Sequence, residues 1–399
     1  MITKRFGQTE IQMPVLTCGS MRFQYKWQDV QPQEVPTSVQ KNLEATLSKA
    51  LELGINHFET ARGYGSSEMQ MGWFLSQLPR EKLILQTKVA PTKNPSDFLR
   101  NFDQSLAYLG VETVDLLALH GLNDDEQISY ALQKGGALEQ ALQLKDEGRI
   151  KHLGFSTHAP VPQVLPLIDL KIFEYINLHW YYIYPNHEIL IQKAYQQDMG
   201  VLIISPNDKG GRLQFPSPQM SSLTTPLSPM VFNDLFTLNR SEVHTLSIGA
   251  AKPSDFDEHV TAVSKLHQAQ SLLEPILKRL KQAQLDALGP QWVGPWWEGI
   301  APYYDQPGQV NVLEIVRFWV YYQSLGLEDF AKSRYNMLGK SGHWFPGAKA
   351  GEIDIEALQA SLGKHKLKNE ILDILEQAHQ QFDDPVIAKA SGPRNSSRN

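Results

Sequence analysis

Short apolar segments alternate with amphipathic stretches from about residue 14 to residue 267. Residues 114–119 are almost continuously apolar, which is typical of a strand covered on both faces in a parallel sheet. Between such segments, apolar residues recur every three or four positions, as at Phe98, Phe102, Leu106 and Leu109, and this spacing predicts a one-sided helix. The strand candidates are 15–19, 55–59, 83–89, 114–120, 152–156, 175–179, 201–205 and 245–249. Eight β/α units in succession favour an α/β fold of the closed (β/α)8 type, a TIM barrel.

The alternation ends near residue 268, and a helical pattern follows it. An aromatic segment rich in glycine and proline, 289–307, lies among long helical stretches, which are 271–288, 312–325, 353–362 and 366–382. We therefore predict a barrel domain at 1–270, a C-terminal α-helical domain at 271–390 and a disordered tail at 391–399, where small polar residues predominate.

Two further segments carry their own predictions. Residues 3–15, with Gly7 at a turn, are expected to form a hairpin that closes the floor of the barrel. The stretch that follows Gly210-Gly211-Arg212 is rich in Pro and Ser through Pro229. It predicts a long loop of the functional or mobile kind.

Composition narrows the function classes. The 399 residues are 42% hydrophobic and 20% charged, with a net charge of -6, which argues against a nucleic-acid partner. The N-terminus has no signal-like apolar run and no window is apolar enough to span a bilayer, so we expect a cytoplasmic protein without a membrane partner. Cys18 is the one cysteine, and it alone cannot form an internal disulfide, a Cys-rich zinc site or a cysteine-ligated iron–sulfur cluster.

Polar residues stand where three successive predicted strands end. Glu59 ends the second strand with Tyr64 five residues later, Lys88 lies at the end of the third, and His120 ends the fourth. Active sites of such barrels lie at the carboxyl ends of the strands, so these side chains are expected to meet. Taken singly, each residue also has a structural interpretation: Lys88 as a surface ion pair, His120 as a turn cap, Glu59 as a partner of Arg62, and Tyr64 as a packing residue.

The four groups together have a coherent chemistry. A free tyrosine has a pKa of about 10, and a nearby lysine ammonium is expected to lower it by favouring the phenolate. A carboxylate at Glu59 would hold Lys88, and His120 would orient a carbonyl. The set would protonate a carbonyl oxygen while hydride arrives at carbon.

The same residues lie in segments that resemble the aldo/keto reductase superfamily over roughly residues 1–270. The segments are GINHFETARGYGSSE at 54–68, QTK at 86–88 and LLALH at 116–120. The resemblance implies a (β/α)8 barrel that reduces carbonyls to alcohols with NADPH, less often NADH. It implies Tyr64 as general acid, Lys88 as its pKa-lowering partner and His120 as carbonyl orienter. Glu59 stands where the family usually has Asp.

The resemblance also implies the residues that bind the cofactor. At the strand ends nearest the nicotinamide they are Gly19, Ser20, Met21, Ser156, Thr157, His158 and Asn177. At the pyrophosphate and adenosine end they are Ser205, Gly249, Ala250, Lys252, Glu258 and His259. Lys252 is the local cation for a 2′-phosphate, while Asp255 stands where a basic or amide residue is common. NADP(H) is therefore expected, with NAD(H) as the alternative.

Some members of this superfamily carry a C-terminal ferredoxin-like helical domain that holds iron–sulfur clusters. Residues 292–302, 333–336 and 342–347 resemble that domain in their framework but have no cysteines. We expect a cluster-free, metal-free version whose protein partner the sequence leaves unknown. Its tryptophans are expected to pack as an aromatic core: Trp292, Trp296, Trp297 and Trp344.

The functional prediction is an NAD(P)H-dependent enzyme that reduces a small-molecule aldehyde or ketone. Two alternatives stay open. One is a non-catalytic NADP(H)-binding protein with a redox-sensing or scaffold role. Three departures from the family pattern favour it: Glu59, Asn177 and the absence of a stacking aromatic at Ile204. The other is a Schiff-base aldolase that uses Lys88, which is less compatible with an ion-paired and therefore protonated lysine.

Overall fold

The computed structural model describes residues 1–351 and 354–384. Its strands are β1 Thr3–Arg5, β2 Gln12–Pro14, β3 Leu16–Gly19, β4 His57–Glu59, β5 Ile84–Val89, β6 Val114–Leu119, β7 Ile150–Ser156, β8 Tyr175–Leu178, β9 Gly200–Ile203 and β10 Thr245–Gly249. Strands β3 to β10 pair in parallel with their neighbours, and β10 pairs with β3 to close the barrel. The predicted (β/α)8 barrel is confirmed, with each strand within a few residues of its expected position.

The α-helices follow the amphipathic stretches. They are α1 Thr37–Glu52, α2 Ser67–Leu75, α3 Pro95–Leu109, α4 Asp125–Leu132, α5 Ala137–Asp146, α6 Val161–Asp169, α7 Glu188–Gln196, α8 Pro218–Thr224, α9 Pro229–Leu238, α10 Asp257–Ser264, α11 Ala269–Leu288, α12 Val312–Leu325, α13 Glu328–Tyr335, α14 Ile355–Ser361 and α15 Lys368–Phe382. Helix α3 buries the apolar side that its spacing predicts. It ends at Gly110, whose φ of 67° closes the last turn in the left-handed region.

The hairpin of β1 and β2 fills the floor of the barrel, as predicted. Phe6 and Met13 belong to a fully buried apolar cluster with four barrel residues, Leu116, Ala118, Tyr175 and Leu202. Gly200 makes room for the hairpin, since a Cβ there would lie 2.7 Å from the Phe6 ring. The interior at this end is therefore apolar and closed.

Polar side chains replace the apolar ones farther along the barrel interior. Thr17 on β3 bonds His57 Nδ1 at 2.7 Å and the Thr245 hydroxyl at 2.8 Å. Because side chains alternate along a strand, the residues two positions on from His57 and Thr245 face the same interior. Those residues are Glu59 and Ser247, which lie at the carboxyl end of the barrel.

The described chain separates into two compact units. The first consists of 1–181, 187–207 and 233–267, and the second of 182–186, 208–232 and the described residues 268–351 and 354–384. No helix in the described ranges is long and apolar enough to cross a membrane. The tail predicted for 391–399 lies outside the described residues.

The prediction of one long loop after Arg212 is wrong in part, because α8 forms within it. Pro218 stands in the first turn of α8, where its missing N–H costs nothing. Ser217 caps the helix by accepting a hydrogen bond from the Met220 N–H at 3.0 Å. A helix of seven residues in a Pro- and Ser-rich stretch leaves little apolar periodicity to detect.

In the second unit, three of the four tryptophans cluster as predicted. Trp292 and Trp296 are buried with ring centroids 6.0 Å apart, and Trp297 contacts Trp296 at 5.5 Å. The prediction is wrong for Trp344, which is 39% exposed and contacts His343.

The segment 333–336 resembles a cluster-bearing framework, and two of its side chains form hydrogen bonds to other parts of the second unit. The Tyr335 hydroxyl lies 2.7 Å from His379 Nδ1, and Lys349 Nζ donates to Asn336 Oδ1 at 2.7 Å. Across the described residues, no group of three or more His, Cys, Asp or Glu side chains is arranged to hold a metal.

Candidate active site

Glu59, at the end of β4, forms a buried ion pair with Lys88 on β5. Lys88 Nζ also donates to the carbonyl oxygen of Thr60 at 2.7 Å, and the second carboxylate oxygen of Glu59 accepts from the Ser247 hydroxyl at 2.7 Å. The Lys88 side chain is only 2% exposed, and burial lowers its pKa well below the ordinary value. The Glu59 carboxylate and the Thr60 carbonyl are the groups that favour the ammonium form.

Tyr64 stands in the loop after β4, beside Lys88 and His120. Lys88 Nζ lies 4.7 Å from the centroid of the tyrosine ring, and the His120 ring meets it edge-on at 5.7 Å. Trp27 contacts the tyrosine ring at 6.1 Å. The four residues predicted at the strand ends are therefore brought together, with Trp27 as an aromatic neighbour that the strand-end reasoning did not find.

The protonation of Tyr64 differs from the expectation. Burial raises its pKa above the ordinary value, and this outweighs the lowering expected from Lys88, whose ammonium lies against the ring face. Within the described ranges the tyrosine hydroxyl makes no hydrogen bond. The phenol therefore stays protonated and keeps its proton for a ligand.

Ser156, at the end of β7, braces the loop that follows His120. Its hydroxyl accepts from the Gly121 N–H at 3.0 Å, and its carbonyl accepts from the Leu122 N–H at 2.9 Å. The Thr157 hydroxyl donates to the Leu122 carbonyl at 2.6 Å. The polar groups of Ser156 and Thr157 predicted to meet a cofactor are thus engaged in joining the ends of β6 and β7.

Asn177 is the least satisfied polar residue of the predicted cofactor set. It is fully buried on β8, in register with Ser156, and neither its Nδ2 nor its Oδ1 has a hydrogen-bond partner among the described residues. Buried amides are normally paired. A donor and an acceptor left open side by side match the acceptor and donor of a carboxamide.

His158 heads a chain of hydrogen bonds along the ends of β7, β8 and β9. His158 Nδ1 bonds His179 Nε2, His179 Nδ1 bonds the Tyr181 hydroxyl at 2.6 Å, and Tyr181 donates to the Ile204 carbonyl. A carbonyl only accepts, so this direction assigns a proton to Nδ1 of both histidines in their neutral forms. The sequence signal for His179 was its position two residues after Asn177, on the same interior face.

His259 lies in a closed buried network. Its Nδ1 bonds the Asp234 carboxylate, and its Nε2 accepts from Asn207 Nδ2 at 3.1 Å. His259 and Asp234 are both fully buried. Both ring nitrogens of this predicted cofactor residue are therefore engaged within the protein, near Ser205, whose φ of 52° marks a turn.

The loop after β10 carries one cation and one internal carboxylate, and Arg22, from the segment after β3, reaches its start. Arg22 Nη1 donates to the Gly249 carbonyl at 3.1 Å, next to Ala250, and Lys252 is exposed. The Asp255 carboxylate accepts from the Ala251 N–H at 2.8 Å. An N–H group of the kind that binds phosphate is thus already occupied, and the nearby Glu258 adds a second exposed acid.

The residues at the end of β3 and directly after it divide between the interior and the surface. The Ser20 backbone N–H donates to the Glu59 carbonyl at 2.9 Å, and its hydroxyl accepts from Ser67 at 2.7 Å. Met21 is 36% exposed. Gly19 packs against the carboxylate of Glu59: a Cβ there would lie 3.1 Å from Glu59 Oε2.

Comparison with known proteins identifies the family of the barrel. The aldo/keto reductase family model matches residues 15–212. The chain is 25% identical over 274 residues to an L-galactose dehydrogenase of Arabidopsis thaliana, and the match covers 58% of this chain and 84% of that protein. It is 30% identical over 132 residues to an L-glyceraldehyde 3-phosphate reductase of Escherichia coli (strain K12), covering 29% of this chain but only 36% of that protein.

The fold has solved counterparts. An aldo/keto reductase from Klebsiella pneumoniae in complex with NADPH superposes with a TM-score of 0.53 at 19% identity, covering 68% of this chain and 95% of that one. The closed eight-stranded barrel and the family match over residues 15–212 define the class of protein. The chain belongs to the aldo/keto reductase family, a family of oxidoreductases.

Proposed function

We propose that this protein reduces an aldehyde or ketone to an alcohol by hydride transfer, with Tyr64 as the general acid. The convergence of Tyr64, Lys88, His120 and Glu59 at the carboxyl end of the barrel carries the proposal. Reduced nicotinamide, when bound, supplies the hydride. The Tyr64 hydroxyl, protonated and without a partner in the described chain, donates its proton to the carbonyl oxygen.

The neighbours of Tyr64 would stabilise the charge that forms there. Loss of the proton leaves a phenolate, and the Lys88 ammonium 4.7 Å from the ring centroid opposes that negative charge. Glu59 and Thr60 hold the ammonium in place. His120, edge-on to the same ring, is proposed to orient the substrate carbonyl.

The residues at the nicotinamide end fit a carboxamide. Asn177 offers an unpaired donor and an unpaired acceptor in a fully buried position, and half-buried His158 lies at the neighbouring strand end. At the other end of the proposed site, Arg22 and Lys252 supply cations for phosphate. NADP(H) is the proposed cofactor, and NAD(H) is the competing one because the Asp255 carboxylate stands beside these cations.

The substrate class is proposed from the relatives. The two relatives described above are named for a sugar and a sugar phosphate, L-galactose and L-glyceraldehyde 3-phosphate. Polyhydroxylated aldehydes are therefore the first small-molecule carbonyl compounds to screen. The test is to titrate the purified protein with NADPH and NADH by fluorescence, then to follow reduced-nicotinamide absorbance with each carbonyl compound. Saturable binding with turnover supports the proposal.

A second candidate function is a non-catalytic NADP(H)-binding protein. The observation that favours it is the placement of the Lys88 ammonium over the tyrosine ring rather than in a hydrogen bond with its hydroxyl. Tight NADPH binding without turnover across a broad carbonyl panel would establish it. A Schiff-base aldolase predicts borohydride trapping of substrate on Lys88. The Glu59 carboxylate opposes this reaction, because it favours the ammonium form of Lys88, which is a poor nucleophile.

A further inference from the structure

Glu59 has one methylene more than the aspartate that the family resemblance led us to expect, and the barrel interior is arranged around that extra length. One carboxylate oxygen, Oε1, meets the Lys88 ammonium, and the other, Oε2, accepts from the Ser247 hydroxyl at 2.7 Å. Ser247 lies on β10, and Glu59 lies on β4. The hydrogen bond therefore crosses β3, the strand that stands between them in the barrel.

The space for this contact comes from Gly19 on β3. A Cβ at Gly19 would lie 2.5 Å from Ser247 Oγ and 3.1 Å from Glu59 Oε2. Any larger residue there would displace the serine or the carboxylate. Gly19, Ser247 and Glu59 are thus three residues from adjacent strands whose sizes fit one another.

Ser247 has no other task in the described structure. It is 5% exposed, and the Glu59 carboxylate is its only side-chain hydrogen-bond partner among the described residues. We propose that Ser247 is a positioning residue of the Glu59–Lys88 pair, with Gly19 providing the space that the longer carboxylate side chain needs.

The physical consequence concerns the ionisation of Glu59. A hydrogen bond to the charged form of a carboxyl lowers its pKa, so removal of the Ser247 hydroxyl raises the pKa of Glu59. Lys88 is the ionisable side chain that contacts this carboxylate, and Tyr64 lies next to Lys88. His57, two residues earlier on β4, is held neutral because burial lowers its pKa to about 3.

Only the kinetic test of this inference rests on the proposed function.

The variants are Ser247→Ala and, as a matched control, Thr245→Val. Thr245 lies two residues earlier on the same strand and face, but its hydroxyl bonds Thr17 at 2.8 Å instead of Glu59. Glu59→Asp and the double variant Glu59→Asp/Ser247→Ala complete a double-mutant cycle.

Two measurements are made on these proteins. The first is the titration of the Glu59 side-chain carboxyl by ¹³C NMR in the cofactor-free protein. We expect Ser247→Ala to raise that pKa by about one unit and Thr245→Val to leave it in place. The second is the pH profile of kcat with an active carbonyl substrate, where the acid limb moves to higher pH by the same amount and KM for the cofactor stays constant.

The double-mutant cycle separates positioning from general packing. The shorter side chain of the Glu59→Asp variant cannot reach Lys88 and Ser247 together, so Ser247→Ala should have little effect in that background. An unchanged Glu59 titration in Ser247→Ala, or an equal effect of Ser247→Ala in both backgrounds, would overturn the inference. Failure of the wild-type protein to turn over any carbonyl would overturn the proposed function and leave the NMR test of Ser247 standing.

Discussion

The two sides of the barrel mouth use polar residues in opposite ways. On the side of β4, β5 and β6, Tyr64 keeps a protonated hydroxyl with no hydrogen-bond partner in the described chain. On the side of β9 and β10, His259 is bonded at both ring nitrogens, and Asp255 satisfies the Ala251 N–H. The Tyr64 hydroxyl is thus open to a ligand, whereas the His259 ring and the Asp255 carboxylate are closed within the protein.

This difference separates residues expected to act on a ligand from residues that stabilise the fold. A buried polar group without a partner is costly unless a ligand completes it, so the open groups mark where we expect the reaction. A group whose bonding capacity is already filled contributes to folding first. Substitutions on the open side should therefore change activity, and substitutions on the closed side should change stability.

The largest effect is expected on the open side. Tyr64→Phe removes the proposed proton donor while keeping the ring that packs between Lys88 and His120. We expect kcat to fall by about 10²–10⁴-fold, with cofactor affinity by fluorescence titration and unfolding by denaturant nearly unchanged. Full activity in this variant would exclude Tyr64 as the acid.

On the closed side, the expected response is in stability. His259→Ala leaves the fully buried Asp234 carboxylate without its partner, which should lower the free energy of unfolding by about 3–5 kcal/mol. Asp257→Ala, at an exposed position in the first turn of the same helix, is the control and should behave like the wild type. A variant of His259 that unfolds normally but binds NADPH weakly would instead make this residue a cofactor ligand.

The sequence predicted the parts of this arrangement that depend on the backbone. Long apolar segments located the barrel strands, and strand-end positions alone brought Glu59, Lys88 and His120 together, because every parallel strand of a barrel ends at the same face. The floor hairpin followed from the turn at Gly7.

The sequence alone did not predict contacts between side chains from distant segments. The Ser247–Glu59 bond depends on closure of β10 onto β3, and the Asn207–His259–Asp234 network joins three loops and helices through particular rotamers. The pKa of Tyr64 was expected to fall because sequence shows a neighbouring cation but not the depth of burial. Helix α8 was not predicted because it is short and is marked by its N-cap residue rather than by apolar periodicity.

Asn177 tests, at a single residue, whether a buried polar group without a partner serves a ligand rather than the fold. Asn177→Leu replaces a fully buried amide with no partners in the described chain by an apolar side chain of similar size. We expect the free energy of unfolding to stay the same or rise, because no hydrogen bond is lost, while nicotinamide cofactor affinity falls by about tenfold. A loss of stability without a loss of affinity would place Asn177 among the structural residues.

The smallest effect is expected at the exposed cation beside Asp255. Lys252→Ala removes a solvent-screened charge, so affinity for NADPH should fall by roughly two- to fivefold, and affinity for NADH should hardly change. The ratio of the two dissociation constants is therefore the informative quantity, and it should approach unity as salt is raised in the wild type. Asp255→Asn should move the same ratio the other way, because it removes a negative charge from the loop. Equal losses for both cofactors in Lys252→Ala would mean that this lysine contacts the part that they share.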